Sequence, residues 1–371
     1  MKTLAVAAPG ATRCGITDYA AFLGKSLQAD WQLLEIQLPA SDSPRAWRNA
    51  AGQADPADLA LIHYEYNLFR SVKPGRNLFA RFMQRLKPPA IVILHDLLPE
   101  LTPCRQARKP YRLRVALRDL AYLPFFSTWS KTLYGLADRF IVHAPHLAAR
   151  ARSRAPGVDV SFLPHPIPPT SRQWHIAQSK TYTFITPGFI KEHKGYLDFL
   201  DVVQSRPQWN WQIAGGPQNA TDQQFVVHLH ARITEMDLAD RVTISGYRSR
   251  EGMEEMMAGA ELAVFPYRRV TGSGAAAWAV GMGMPVIATD RETFRDLVRA
   301  GGGLALLPGG KPEHWAELAG ELLADPERRR RLANANSRFS ALHGYDETAG
   351  HITAIAAALL AQANTPGTKR R

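Results

Sequence analysis

The chain has 371 residues, 46% apolar and 21% charged by type, which suits two ordinary domains and excludes a disordered or collagen-like chain. Its two cysteines, Cys14 and Cys104, supply no disulfide framework and point to a reduced, intracellular setting. Forty-five Lys and Arg against 33 Asp and Glu leave +12, and the stretch from Tyr66 to Arg150 alone carries fifteen basic residues and four acids; a field that concentrated attracts nucleic acid, an anionic leaflet or a phosphorylated ligand.

The first ten residues faintly mimic a secretion signal, but the apolar run is short and stops at Pro9-Gly10, so it reads as a buried first strand over 3–7. No run of 18 apolar residues follows, and no membrane span is expected. After the strand comes Arg13-Cys14-Gly15-Ile16-Thr17-Asp18, a turn into a helix whose buried stripe is Ile16, Tyr19, Ala20, Leu23 and Leu27. Gly15 lets that turn approach a ligand, although the three-glycine dinucleotide fingerprint is missing. Further strands are expected at 58–63, 90–95, 139–143 and 158–163. Two of them end in histidine: His63, followed by Tyr64-Glu65-Tyr66, and His95, followed by Asp96. A polar group at the carboxyl end of a buried parallel strand can face a ligand, or serve as an ordinary satisfied core histidine.

Between those strands, residues 110–123 place Leu113, Leu117 and Leu120 at helical spacing. Arg112, Arg114 and Arg118 surround them, with Arg105, Arg108 and Lys109 just before. Two readings stay open: an interfacial helix on an anionic membrane surface, or a soluble amphipathic helix with an Arg-rich polar face.

A second strand series is expected at 182–186, 211–214, 242–245, 262–265, 285–288 and 303–307. It is separated from the first by Pro164-His165-Pro166-Ile167-Pro168-Pro169, where neither helix nor central strand continues. The expected organisation is α/β: two doubly wound, Rossmann-like domains over 1–168 and 169–345, facing across a cleft, then over 346–371 a C-terminal helix, for which packing back on the first domain is one option, and a loose basic tail.

Two features of the second half point to an anion. Thr271-Gly272-Ser273-Gly274 opens an Ala-rich helix, whose unpaired amides and close backbone approach suit a phosphate, unless Ser273 is a plain N-cap. Gly188-Phe189-Ile190-Lys191-Glu192-His193-Lys194-Gly195 sets two lysines in a strand-to-helix loop, where an ammonium–phosphate bond contributes about 1.5–3 kcal/mol. No metal-ligand spacing, Asp-X-Asp motif, serine-hydrolase elbow or Walker loop is present, so no metal and no bound cofactor is expected.

In this order and spacing the motifs resemble the GT-B glycosyltransferases, specifically the retaining group 1 (family 4) type. The likeness rests on Gly15-Ile16-Thr17-Asp18-Tyr19, His63-Tyr64-Glu65-Tyr66, His95-Asp96, Leu163-Pro164-His165-Pro166, Gly188 to Gly195, Ala214-Gly215-Gly216-Pro217 and Pro285-Val286-Ile287-Ala288-Thr289. The resemblance implies metal-independent, retaining transfer of a sugar from a nucleotide-sugar donor, the co-substrate. Lys194 would hold the diphosphate, helped by Lys191, Gly188, Gly272 and the Ser273-Gly274 amides, with Gly15 in the donor loop. His95 would contact the donor sugar as the catalytic candidate, and Asp296 stands where the family often has a carboxylate. His63 and Glu65 are candidates for sugar or acceptor contact. The implied partner is a lipid-linked or glycan acceptor, met by a cytoplasmic protein at the inner face of a membrane.

Two departures stand out. The family's paired Glu residues, eight positions apart, are Val270 and Trp278 here, and the usual Arg after Gly188 is Phe189. Either Lys191, Asp296 or Glu292 compensates, or the protein is an inactive GT-B binding protein. A nucleic-acid binder is the remaining rival, without a recognised binding motif to support it.

Overall fold

The computed structural model describes residues 1–10, 14–65, 68–69, 77–95, 133–176, 180–307 and 311–363. The basic cluster Arg105, Arg108, Lys109, Arg112, Arg114 and Arg118, with the helix expected over 110–123, lies outside the described residues. The chain divides into two units, Met1–Pro164 with Asp346–Arg371, and His165–Tyr345.

In the first unit, strands β1 (Thr3–Pro9), β2 (Gln32–Leu38), β3 (Leu59–Tyr64), β4 (Ala90–Leu94), β5 (Arg139–Val142) and β6 (Val160–Phe162) form one sheet in the order β2-β1-β3-β4-β5-β6. Every neighbouring pair is parallel. Strands β3 and β4 are buried along their whole length, as parallel strands covered on both faces must be. Helices α1 (Gly15–Leu27), α2 (Pro44–Gly52), α3 (Leu78–Arg85) and α4 (Pro145–Arg154) provide the cover. One face is filled by Trp47, Phe69, Phe79, Phe82 and Phe140. Strand β2, which the apolar pattern does not reveal, is an edge strand with only Ile36 and Leu38 buried.

The second unit repeats the plan with β7 (Tyr182–Pro187), β8 (Trp211–Ala214), β9 (Val242–Ile244), β10 (Ala260–Phe265), β11 (Val286–Thr289) and β12 (Leu304–Leu307), ordered β12-β11-β10-β7-β8-β9. These pairs are also all parallel. Its helices are α5 (Tyr196–Gln204), α6 (Ala220–Glu235), α7 (Arg250–Ala258), α8 (Gly274–Gly281), α9 (Glu292–Arg299), α10 (Pro312–Ala324) and α11 (Pro326–Leu342). The period-two alternation of β7 and β10 sends Phe184, Leu262 and Val264 into one core and Ile185, Ala263 and Phe265 into the other.

The last helix, α12 (Tyr345–Ala363), joins the first unit from Asp346 onward. Asp346 accepts a hydrogen bond from Ser26 at 2.6 Å, and Trp31 donates its indole N–H to Thr353 at 3.0 Å. Among the described residues no helix is long and apolar enough to cross a membrane.

In each sheet the strand order reverses once, between β1 and β3 and between β7 and β10. Loops leaving the carboxyl ends of strands at such a point diverge and open a crevice. Both groups of candidate residues lie there.

Candidate active site

In the second unit the site is built by the loops after β7 and β10, neighbours in the sheet. Gly188 (φ +98°) leaves β7, and residues Glu192–Lys194 make one tight turn that ends on Gly195 in the left-handed region (φ +74°). A Cβ on Gly195 would stand 1.9 Å from the Pro266 carbonyl oxygen, so glycine there is what lets the two loops touch. The contact is fastened by the Arg268 amide, which donates to the His193 carbonyl at 2.9 Å.

Lys194 is held at this junction, its ammonium 5.3 Å from the centre of the Tyr267 ring and 3.7 Å from where a Gly188 Cβ would be. Burial, with the nearby Lys191 charge adding to it, pushes its pKa down to about 7, against a smaller opposing pull from Asp222. No carboxylate is hydrogen-bonded or ion-paired to it among the described residues. His193, between the two lysines, is pushed to about 4, first by burial and then by the neighbouring cations, and is neutral at pH 7.

Across the junction, Ser273 caps α8, its hydroxyl oxygen accepting from the Ala276 amide at 3.1 Å. The Gly274 and Ala275 amides at the start of α8 have no carbonyl a turn earlier to bond and are open to a ligand. Ala275 lies 3.2 Å from the position of a Gly188 Cβ, so the helix start, Gly188 and Lys194 share one small region. Gly272, Ser273 and Gly274 are in the loop and first turn entering it. Asp296 is on α9, where Arg299 binds it at 2.8 Å and also binds Glu292 at 2.9 Å. Those carboxylates are already neutralised by arginines of their own helix. What α9 gives the loop is Thr293, whose hydroxyl donates to the Val270 carbonyl at 3.0 Å.

Trp278, at the position where the resembled family has Glu, takes part in a buried network. Its indole N–H donates to Glu254 Oε1 at 3.1 Å, and the Arg250 guanidinium lies 4.9 Å from its ring centre. The other Glu254 oxygen accepts from the Ser171 amide at 2.8 Å and hydroxyl at 2.5 Å. Burial alone would raise the Glu254 carboxyl, but these bonds and the Arg250 charge outweigh it and hold it below its ordinary value.

In the first unit, α1 begins at Gly15 after an extended Cys14 with no side-chain cap. Beside it lie His63 and His95, joined by a hydrogen bond of 2.9 Å between Nδ1 and Nε2. His143, just past β5, completes the group: Tyr19 of α1 is in ring contact with all three imidazoles. His143 was not among the sequence candidates, although a third apolar strand run ending in histidine was its signal. Glu65 is occupied locally, accepting from the Leu68 amide at 3.1 Å. Among the described residues no group of three or more His, Cys, Asp or Glu could hold a metal ion.

These two doubly wound sheets define a class, the GT-B fold. Sucrose-phosphate synthase from Thermosynechococcus elongatus superposes with a TM-score of 0.75 at 18% identity, over 98% of this chain and 100% of that one. Anabaena HepE, solved in complex with UDP and glucose, gives 0.69 at 14% identity, over 96% and 100%. The family model for glycosyl transferases group 1 matches residues 169–339, which lie within the second unit. D-inositol 3-phosphate glycosyltransferase of Xylanimonas cellulosilytica is 30% identical over 146 residues, 39% of this chain and 33% of that protein; the match spans about a third of that relative's length.

Proposed function

We propose that the protein transfers a sugar from a nucleoside diphosphate donor to a lipid-linked or polysaccharide-precursor acceptor, retaining the anomeric configuration without a metal. The observation that carries this reading is Lys194, an ammonium with no paired carboxylate among the described residues, set beside the open start of α8. Breaking the sugar–phosphate bond moves negative charge onto the diphosphate. Fixed positive groups there stabilise the transition state more than the ground state. Lys194, Lys191 and the first α8 amides supply those groups, and His95 takes contact with the transferred sugar. HepE, with the same fold, has been solved with UDP-glucose.

The test is transfer or donor hydrolysis by the purified protein across UDP, GDP and ADP sugars, with and without a chelator. Turnover of at least one donor, unaffected by the chelator, is expected. A second reading, an inactive binding protein, is favoured by one observation: Trp278 fills the place of one of the resembled family's paired Glu residues and is tied up in structure. Nucleoside diphosphate binding with no turnover of any donor would select it. Membrane association is tested separately, by vesicle binding after Arg108, Arg112, Arg114 and Arg118 are changed to Ala; unchanged binding removes that part.

A further inference from the structure

The three imidazoles of the first unit come together because of strand register. His63 pairs with Ile93 in the β3–β4 ladder, and Ile93 with Ile141 in the β4–β5 ladder. Side chains two residues apart point to the same face. His95 and His143, two beyond Ile93 and Ile141, therefore share the face of His63. The His63 and His95 rings are nearly parallel, 15° apart with centres at 5.2 Å, and Tyr19 meets both edge-on. His143 Nδ1 is 3.1 Å from the Leu163 carbonyl oxygen; a carbonyl only accepts, so His143 carries its proton on Nδ1.

A bond between two imidazole nitrogens needs one N–H and one lone pair, and two assignments are open. If His95 Nε2–H donated, His63 would carry its own proton on Nε2. That atom is buried and has no hydrogen-bond partner among the described residues. A buried N–H left without an acceptor costs about 1–3 kcal/mol, and such orphans are rarer than unsatisfied acceptors. The opposite assignment leaves only a lone pair on His63 Nε2.

We propose that His63 is a positioning residue: by donating Nδ1–H to His95 Nε2, it fixes His95 as the neutral, Nδ1-protonated tautomer. His95 then meets its ligand through Nδ1–H as a hydrogen-bond donor, and its Nε2 takes no proton from substrate. This deepens the proposed function and rests on the assignment of His95 to sugar contact. Burial holds His63 down at about 3, so it stays uncharged through the working range and sets a tautomer rather than carrying a proton. Among the described residues, the titratable groups in ring contact with the pair are Tyr19 from α1 and His143 from beyond β5.

The experiment uses the full chain labelled with 15N-histidine. Long-range proton–nitrogen spectra at pH 7.5 report which nitrogen of each ring is protonated, and H95Q identifies the His95 signals. His95 protonated on Nδ1 is expected; His95 protonated on Nε2 overturns the proposal. His63→Leu should shift His95 toward the Nε2–H form, whereas His63→Asn, which keeps an amide donor near the old Nδ1, should preserve Nδ1–H. In kinetics His63→Leu should lower kcat about ten- to hundredfold with donor KM within about twofold, and His63→Asn should recover most of the loss. A merely structural His63 would alter stability and leave the His95 tautomer unchanged, which also overturns the proposal. Should His63→Leu fail to fold, the wild-type and His63→Asn spectra decide it. If no donor is turned over, the spectra still settle the tautomer, and the functional reading alone fails.

Discussion

Lys194 shows how much chemistry one side chain takes from its surroundings. In the free protein, burial and the Lys191 charge bring its pKa to about 7, so near neutral pH it is only partly charged. A bound diphosphate stabilises the ammonium and raises that pKa, so binding takes up a proton. Affinity for a nucleoside diphosphate should therefore fall as pH rises above about 7, a trend that titration calorimetry at pH 6.5, 7.5 and 8.5 will measure. Folding stability runs the other way. The unfolded lysine titrates near 10.5, so between about 7 and 10.5 the unfolded chain binds more protons and stability rises with pH. Lys194→Met removes a poorly solvated charge. At pH 6.5 the variant should melt about 2–5 °C above the wild type, the gap closing toward pH 10, while losing the stabilisation that UDP, GDP or ADP provides. A variant that melts lower at pH 6.5, or still responds to the nucleotide, contradicts the placement. The lysine was legible in the sequence as a cation in a strand-to-helix loop. Its depressed pKa was not, because that depends on Tyr267 and Lys191 being brought around it.

At the scale of elements, the glycine-rich turn into α8 was readable from its residues alone. The role of Trp278 within that helix was not. It is set by Glu254 on α7, 24 positions earlier, and by Ser171 in the segment before β7. The network explains why a family position is filled by an indole: the ring closes over a fully buried carboxylate that needs donors, and a second carboxylate there would meet it with like charge. Trp278→Glu should therefore lower stability by about 2–4 kcal/mol at pH 7. Trp278→Phe, which loses only the N–H, should cost about 1 kcal/mol. The folded Glu254 carboxyl lies below its unfolded value, so its contribution is present above about pH 4.5 and is lost as pH falls through the folded pKa. Denaturant melts at pH 7 and pH 4 should show the Trp278→Phe deficit shrinking at the lower pH. Wild-type stability in Trp278→Glu would show that the position is free to carry the family's Glu. Strand β2 was missed for a related reason: as an edge strand burying only Ile36 and Leu38, it has too little apolar pattern to stand out.

Over the whole molecule, the alternation of apolar runs with helical stretches was enough to read two parallel sheets, because strands buried on both faces need continuous Val, Ile, Leu and Ala. Which unit the last helix completes depends on contacts over 300 positions apart in sequence, such as Trp31 with Thr353. Along α12, Ile352, Ala356, Leu359 and Leu360 recur at helical spacing and are buried, and Thr353 also donates to Asp30 at 3.2 Å. Removing residues 346–371 strips that stripe from the first unit while leaving intact the unit that carries Lys194 and Ser273. Four buried apolar side chains contribute several kcal/mol as an upper bound, a large share of the stability of a domain this size. Calorimetry of the truncated chain should show one transition lowered by about 10 °C or more. A second transition should remain, still raised by the nucleoside diphosphate, because the residues proposed to bind it belong to the other unit. An unchanged first transition would mean that α12 is peripheral to that unit; loss of the nucleotide response would mean that the diphosphate site requires the first unit to be folded.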